Sequence, residues 1–512
     1  MSITSSTLAN AVGASVDNVP FGTSATVLAR KNLIIGTYDP AITTITDEVP
    51  ALVLSPEEAA NTYGAGFMVH RLTKYNMSGS NNGETWILPQ AEVAGAQATG
   101  TVTITGTATA NGTLYLYVAG EKVEVTVTSG DTATDVGDAI DTAVAANTDL
   151  PVTSNNVTGT VTFTAKTTGT YGNFISLTFN WGFQEATSAG ISAAVVDMAS
   201  GTGVPSMSDA LDALGTGDDA NADHYTDVIH GYLLDTTSLD AMSTYNGVFD
   251  TATGCYSKTV ARPFRSVCGD TVAGSGGLSA LVSLGGNRTT DRTSGVIAAP
   301  GSPNHPAEIA ALALGIASRL NANRAEETAY GQVLPGVIAG AVADRWTSNY
   351  TSRDTAVKAG IGTTTVRGGS VYISDFLTFC HPATIPVASN GYRTQRHISI
   401  VQNMLHNVKT NFESEKWLGC SIVGDVSKVA NIVDRQKARD IDAVKDDLIA
   451  LAESFRDNAW VYEVDEYTIP NISVQVRGAN NGFDTVLPVI LSGELGIIDT
   501  VVQFDAAITV LL

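Results

Sequence analysis

Positive charge is scarce in this chain. Its 512 residues include 28 Lys and Arg against 51 Asp and Glu, a formal net charge of −23. A nucleic-acid binder needs a basic face to neutralise phosphates, and a peripheral protein on anionic lipid needs the same, so both classes are excluded. What remains is a solvated acidic exterior. Cysteine is scarce too. Cys255, Cys268, Cys380 and Cys420 are far apart and make no CxxC. They read as small buried hydrophobes in a reducing compartment, not as a disulfide framework. The seven histidines are scattered, and the adjacent Cys380 and His381 have no third ligand at metal spacing. No run reaches the roughly 18 apolar residues that span a bilayer. The opening MSITSSTLANAVGASVDNVPFG lacks the basic and apolar regions of a signal peptide.

The grammar of catalysis is also missing. There is no GxxxxGK[ST], no HExxH and no GxSxG. GTSA at 22–25 is similar to the loop around a subtilase nucleophile, but Ser24 has neither a base nor an orienting third group in its sequence context and reads as a turn residue. Two glycine-rich stretches, GAGFMVH (64–70) and AGSGGLSALVSLGG (273–286), could cradle a phosphate at a helix N-terminus. Neither has a partner Lys or ribose-binding acid, so the first reads as a helix-packing site and the second as a βα loop. No catalytic, cofactor-binding or metal-binding residue is assigned.

Gly, Thr, Ala and Asn are abundant, and their distribution divides the chain. Residues 1–20 form a polar arm whose extended reach is roughly 65 Å at about 3.3 Å per residue. An α/β region, 21–97 and 183–380, surrounds a β-rich insertion at 98–182. Within the first part, 25–37 reads as a strand. Ser55-Pro56-Glu57-Glu58 opens a helix through AANTYGAGFMVHRLTKYNM, weakened at Gly64 and Gly66. The insertion alternates Thr and Val with period two, and TVTITG (101–106) and TVTFTA (160–165) echo one another. It holds one helix, capped by Asp131 or Thr132, and its flanks WILPQAEVAG and FNWGFQEATS form the hinge. Residues 205–345 alternate helix and strand, which predicts a mostly parallel sheet covered by helices. TTTVRGGSVYISD (363–375) reads as a hairpin turning at Gly368-Gly369. Residues 381–496 are α+β, with long helices at 392–413 and 433–460; the second carries Ile441, Val444, Leu448, Leu451 and Phe455 on one stripe. Its mixed charges read either as a solvated face or as a polar docking surface for another subunit. The last segment, 497–512, is a bare apolar strand: Ile497, Val501, Val502, Phe504, Ile508 and Val510. Such an edge invites pairing with another chain.

Taken in order, several stretches resemble the tail sheath proteins of contractile phage tails, most closely the Mu-like group. They are SPEEAANTYGAGFMVHRLTKYN, ATGTVTITGTATANGTLYLYVAGEKVEVTVTSGDTA, GVIAAPGSPNHPAEIAALALGIASRL, LPGVIAGAVADRWTSNYTSRDTAVKAGIGTTTV and FDTVLPVILSGELGIIDTVVQF, together spanning roughly residues 18–505. The resemblance implies a non-enzymatic structural subunit without cofactor. Its α/β core would have subtilisin-like topology without that enzyme's triad, and its insertion domain would face outward. It would polymerise helically around a tail tube in the virion, after assembly in the host cytoplasm, and contract to drive the tube through the host envelope. Its partners would be further copies, the tube protein, and baseplate and terminator proteins at the ends, with no nucleic acid or membrane. The family knits its subunits by donated arms, so 1–20 and 497–512 are expected to link copies by β-augmentation. Lys437, Arg439 and Lys445, on the predicted helix 433–460, are expected to face the tube. Two other readings lack a required feature: a hydrolase needs a Ser/His/Asp cluster, and a secreted surface-layer protein needs an export signal.

Overall fold

The computed structural model describes residues 25–247, 253–381, 391–478 and 481–494. The predicted linking residues Ile497, Val501, Val502, Phe504, Ile508 and Val510, the arm 1–20 and Ser24 lie outside these. The described residues divide into two compact units, one built on residues 27–411 and one on residues 412–490.

The larger unit begins with β1 (Asn32–Thr37), β2 (Ala51–Val53), α1 (Pro56–Tyr63), α2 (Met68–Ser80) and β3 (Thr85–Gln90). β1 is NLIIGT and buried at every position, as a strand covered on both faces must be. The strand expected from residue 25 starts only at Asn32; before it the Leu28 backbone N–H donates to Asn403 Oδ1 at 2.7 Å and not to a neighbouring strand. The single helix expected from Ser55 is two. Ser55 caps α1 and Pro56 opens it, but Gly64 (φ 100°) and Gly66 (φ 83°) turn the chain into the left-handed region before α2. A side chain at Gly66 would also strike the Leu150 carbonyl.

The insertion follows as β4 (Gln97–Gly106), β5 (Gly112–Val118), β6 (Glu121–Val127), α3 (Ala133–Ala146), β7 (Val152–Val157), β8 (Thr160–Thr168), β9 (Leu177–Phe179) and β10 (Ile191–Ala199). β10-β4-β8-β7 form one sheet and β6-β5-β9 another. They enclose a core that includes Val102, Ile104, Leu116, Val125, Val161 and Phe163, with Val136, Ile140 and Val144 of α3. Thr132 caps α3 in a capping box with Asp135. The echoing TVTITG and TVTFTA are neighbours: Thr101 pairs with Thr162 and Thr103 with Thr160, while Val102, Ile104, Val161 and Phe163 point inward. The expected boundary at 182 is too early. β10 pairs along β4, and Ala96 bridges Thr202, so the chain recrosses the insertion before leaving it. FNWGFQEATS is therefore not the exit.

The chain then forms α4 (Met207–Asp212), β11 (Asp227–His230), α5 (Thr236–Asn246), β12 (Arg265–Asp270), α6 (Gly274–Gly286), β13 (Ser294–Ala298), α7 (Pro306–Asn323), α8 (Tyr350–Lys358), β14 (Gly362–Arg367), β15 (Ser370–Asp375) and α9 (Gln395–Phe412). The sheet order is β15-β14-β13-β12-β11-β1-β3-β2, parallel except at its two edges. This is the predicted mostly parallel sheet. β14 and β15 turn at Gly368 (φ 56°) and Gly369 (φ 85°), as a two-residue hairpin requires. α2 and α7 pack at glycines: a side chain at Gly79 would run into the Leu312 carbonyl, and one at Gly315 into that of Asn76.

The smaller unit holds α10 (Ile432–Gln436), α11 (Ile441–Asp457) and a hairpin of Ser473–Val476 with Phe483–Val486. Its core joins Val444, Leu448 and Ile472 to Phe412, Trp417, Val474 and Phe483. The long helix expected over 433–460 is interrupted. Ala438 and Arg439 are extended and pair with Ser421 and Ile422, and Asp440 then caps α11 by accepting from Ala443 N–H at 2.9 Å. From Val444 onward the expected stripe is buried through Leu448, Leu451 and Phe455.

Candidate functional site

In an open parallel sheet a ligand binds outside the carboxyl ends of the strands, where the strand order reverses. Here that place is between β1 and β11, and it is filled. The Met68 side chain lies against both strand ends: a side chain at Gly36 would come within 2.8 Å of Met68 Sδ, and one at Gly231 would meet the same sulfur. On the next strand end, Cys268 Sγ lies 3.4 Å from His230 Nε2. Burial pushes the thiol up to about 12 and the imidazole down to about 4, so both stay neutral and no thiolate forms. Cys268 packs as a hydrophobe with Leu281 and Val296. Cys255 is buried as expected, but Cys380 and Cys420 are only half-buried. His381 Nδ1 lies 2.8 Å from the Phe379 carbonyl, and burial raises the Cys380 thiol. Among the described residues no three His, Cys, Asp or Glu gather into a metal-holding group. The stretch 273–286 is not a βα loop but helix α6 itself, whose Gly277 and Gly285 let the Val272 and Ala359 carbonyls approach.

The most distinctive polar cluster mounts the insertion on the α/β sheet, and the sequence reading missed it. Arg71 on α2 and Glu308 in the first turn of α7 are both fully buried. They form a two-pronged pair, Nε to Oε1 at 2.7 Å and Nη2 to Oε2 at 2.9 Å. The remaining Arg71 nitrogen reaches into the insertion, to Glu121 Oε1 at 2.5 Å and the Asp149 carbonyl at 3.1 Å. Lys74 Nζ ties the same two residues at 2.9 and 3.2 Å. Burial alone would lower the Arg71 pKa, but Glu308, Tyr75 and Glu121 together outweigh it and hold the guanidinium charged. Glu308 is pushed up by burial, opposed by Arg71.

The segment SPNHPAE supplies the rest of the mount. Asn304 fills the space where a side chain at Gly120 would stand. His305 caps α7: its Nδ1 accepts from Ala307 N–H at 3.2 Å, so Nε2 carries the proton toward the Tyr171 carbonyl, 3.1 Å away. Its ring stacks on Tyr171 at 3.9 Å, and burial drives its pKa down to about 3, which keeps it neutral. Ser176 donates to the Pro303 carbonyl, and Trp181 Nε1 to that of Ala339 at 3.2 Å. Asn, His and Glu before an apolar helix are unusual, and that was the available signal. The arrangement holds no reacting group. It ties the β-domain to the sheet.

Of the residues expected to face a tube, only Lys445 lies on α11. Lys437 Nζ donates to the Glu415 and Leu418 carbonyls at 3.3 Å, and Arg439 donates to the Ala438 carbonyl at 2.8 Å and lies 5.3 Å from the Trp417 ring centroid. The three do not share one helix face, because the chain is extended at Ala438–Arg439.

Residues 93–192 match the family described as the phage tail sheath protein beta-sandwich domain. The insertion is therefore similar to a tail sheath β-sandwich domain. The chain is also 29% identical over 320 residues to the Mu-like prophage FluMu tail sheath protein of Haemophilus influenzae, a match spanning 61% of this chain and 60% of that protein. Among solved structures, the sheath tail protein of Desulfitobacterium hafniense is 12% identical, with 94% of this chain and 100% of that one covered and a TM-score of 0.43. The contracted PVC sheath complex of an extracellular contractile injection system is 7% identical, with 98% and 99% covered and a TM-score of 0.45.

Proposed function

We propose that this tail-sheath homologue is the repeating structural subunit of a contractile tail sheath. It polymerises helically around a tail tube and shortens to drive the tube through the host envelope, without catalysis or cofactor. The sheath β-sandwich at 93–192 carries the reading, and the relation to a Mu-like tail sheath protein supports it. The Met68-filled strand ends support a non-enzymatic role. The α/β core is read as subtilisin-like in topology. Its partners are further copies, the tube, and baseplate and terminator proteins; it belongs to the virion tail and assembles in the host cytoplasm. No described helix is long and apolar enough to cross a membrane.

Residues 1–20 and 497–512 are proposed to link copies by strand addition, through Ile497, Val501, Val502, Phe504, Ile508 and Val510. Electron microscopy of the purified full chain, beside one ending at Gly496, tests both claims. Striated tubes from the full chain alone support both. Tubes from each refute the linking strand, and dispersed monomers at high concentration refute self-assembly. Lys437, Arg439 and Lys445 are proposed to face the tube. Lys445→Glu is the clean probe, since Lys437 and Arg439 also hold local carbonyls. Normal sheathed tails from that variant would refute the assignment.

A further inference from the structure

We propose that Arg396, His397 and Thr328 clamp the chain at Ser492–Glu494, anchoring the root of the linking segment 497–512 to the larger unit and so fixing the length of the free tether between copies. The inference rests on the strand-addition reading above and deepens it by naming the residues that position the segment.

The grip falls where the chain has left the smaller unit and has not yet reached the terminal segment. Residues 412–490 belong to the smaller unit, and the described residues Leu491–Glu494 belong to the larger. Arg396, in the first turn of α9, is only 8% exposed. Its fork closes on one residue: Nη1 donates to the Ser492 carbonyl at 2.5 Å and Nη2 to Ser492 Oγ at 2.7 Å. Its Nε donates to the Glu326 carbonyl, just past the end of α7, so one side chain staples two stretches of chain together. His397 Nε2 lies 3.3 Å from the same Ser492 carbonyl. Thr328 Oγ1 donates to Glu494 Oε1 at 2.5 Å. Burial lowers the Arg396 pKa and Glu494 opposes it, so the carboxylate held here helps to keep its holder charged.

The position of the clamp sets the tether. Between Glu494 and Ile497 only Leu495 and Gly496 remain. Two residues span at most about 7 Å. Released at the clamp, the tether would run from Leu491 to Gly496, six residues with a reach of about 20 Å. The effective concentration of a tethered strand falls roughly as the −3/2 power of tether length, so tripling that length weakens each link about fivefold. With the clamp closed, the pull on a strand engaged by a neighbour passes to α9 and the end of α7, and not to the hairpin of the smaller unit.

The tests use the full chain. Inserting Gly-Ser-Gly-Ser after Gly496 lengthens the tether to the same six residues and leaves the clamp untouched. It should raise the critical concentration for polymerisation about fivefold, read by sedimentation and electron microscopy. Arg396→Gln should do the same. It should also speed cleavage after Glu494 by a glutamate-specific protease at least about tenfold, with other sites cut at the wild-type rate. If Arg396→Gln speeds cleavage throughout, the fold is damaged, and Thr328→Val with Ser492→Ala, which leaves Arg396 in place, must give the local effect instead. A critical concentration for the insertion within about twofold of wild type overturns the tether, and unchanged cleavage after Glu494 overturns the clamp. Tubes from the chain ending at Gly496, or a wild-type chain that never polymerises, overturn the reading beneath the proposal. Both are told apart from the outcomes above because neither involves a change at the clamp.

Discussion

Glu308→Gln keeps the shape of the side chain and removes its charge. Arg71 would then be left fully buried with one carboxylate, Glu121, in place of two. Breaking a buried pair by removing one partner costs about 3–5 kcal/mol. Glu121 is partly solvated and still bonded to Arg71, so the lower end applies, about 3 kcal/mol. At about 1.4 kcal/mol per tenfold, that is a factor of roughly 150 in local opening. The assay is hydrogen exchange by mass spectrometry on peptides covering α2 and α7, which reports local stability without requiring the whole chain to unfold in one step. The double variant Arg71→Met with Glu308→Leu is the control for charge. Replacing a buried pair with apolar groups of similar volume is often neutral or stabilising, so its exchange should lie near wild type. Exchange in Glu308→Gln within threefold of wild type would refute the reasoning. So would a double variant as unprotected as the single, since the damage would then come from shape and not from an orphaned charge.

Asp270, at the end of β12, is buried, and burial pushes its pKa up to about 6. Its folded pKa lies above the unfolded value near 4, so the folded state binds the extra proton between those values. Its contribution is fully favourable below about pH 4 and is lost as pH rises through about 6; Asp270→Asn should therefore raise the melting temperature at pH 8 and leave it nearly unchanged at pH 4. Thr132→Ala breaks the capping box of α3 and should cost about 1 kcal/mol, read by urea denaturation. Gly79→Ala drives a methyl into the Leu312 carbonyl and should cost at least about 1–3 kcal/mol by overpacking, again read in urea. Thiol labelling of the native chain should spare Cys255 and Cys268, both buried with pKa values near 12, until denaturant is added.

Local pattern determined a large share of this protein. Period-two alternation gave away the Thr/Val strands of the insertion, whose inward Val102 and Phe163 are buried. The βα rhythm forecast the parallel sheet and Gly368-Gly369 the hairpin. These are properties of neighbours in the chain: side-chain period and turn chemistry.

Tertiary structure decided what depends on distant partners. No local signal shows that β10 returns to β4, because a short Ala/Val strand is completed only by its neighbour. A run with helical periodicity breaks at Ala438–Arg439, where pairing with Ser421–Ile422 and a cap at Asp440 outweigh propensity. Arg71 and Glu308 are 237 residues apart in sequence, and each alone reads as an ordinary surface charge. Only the close packing of α2 on α7 removes both from water, and burial makes them the mount of the insertion.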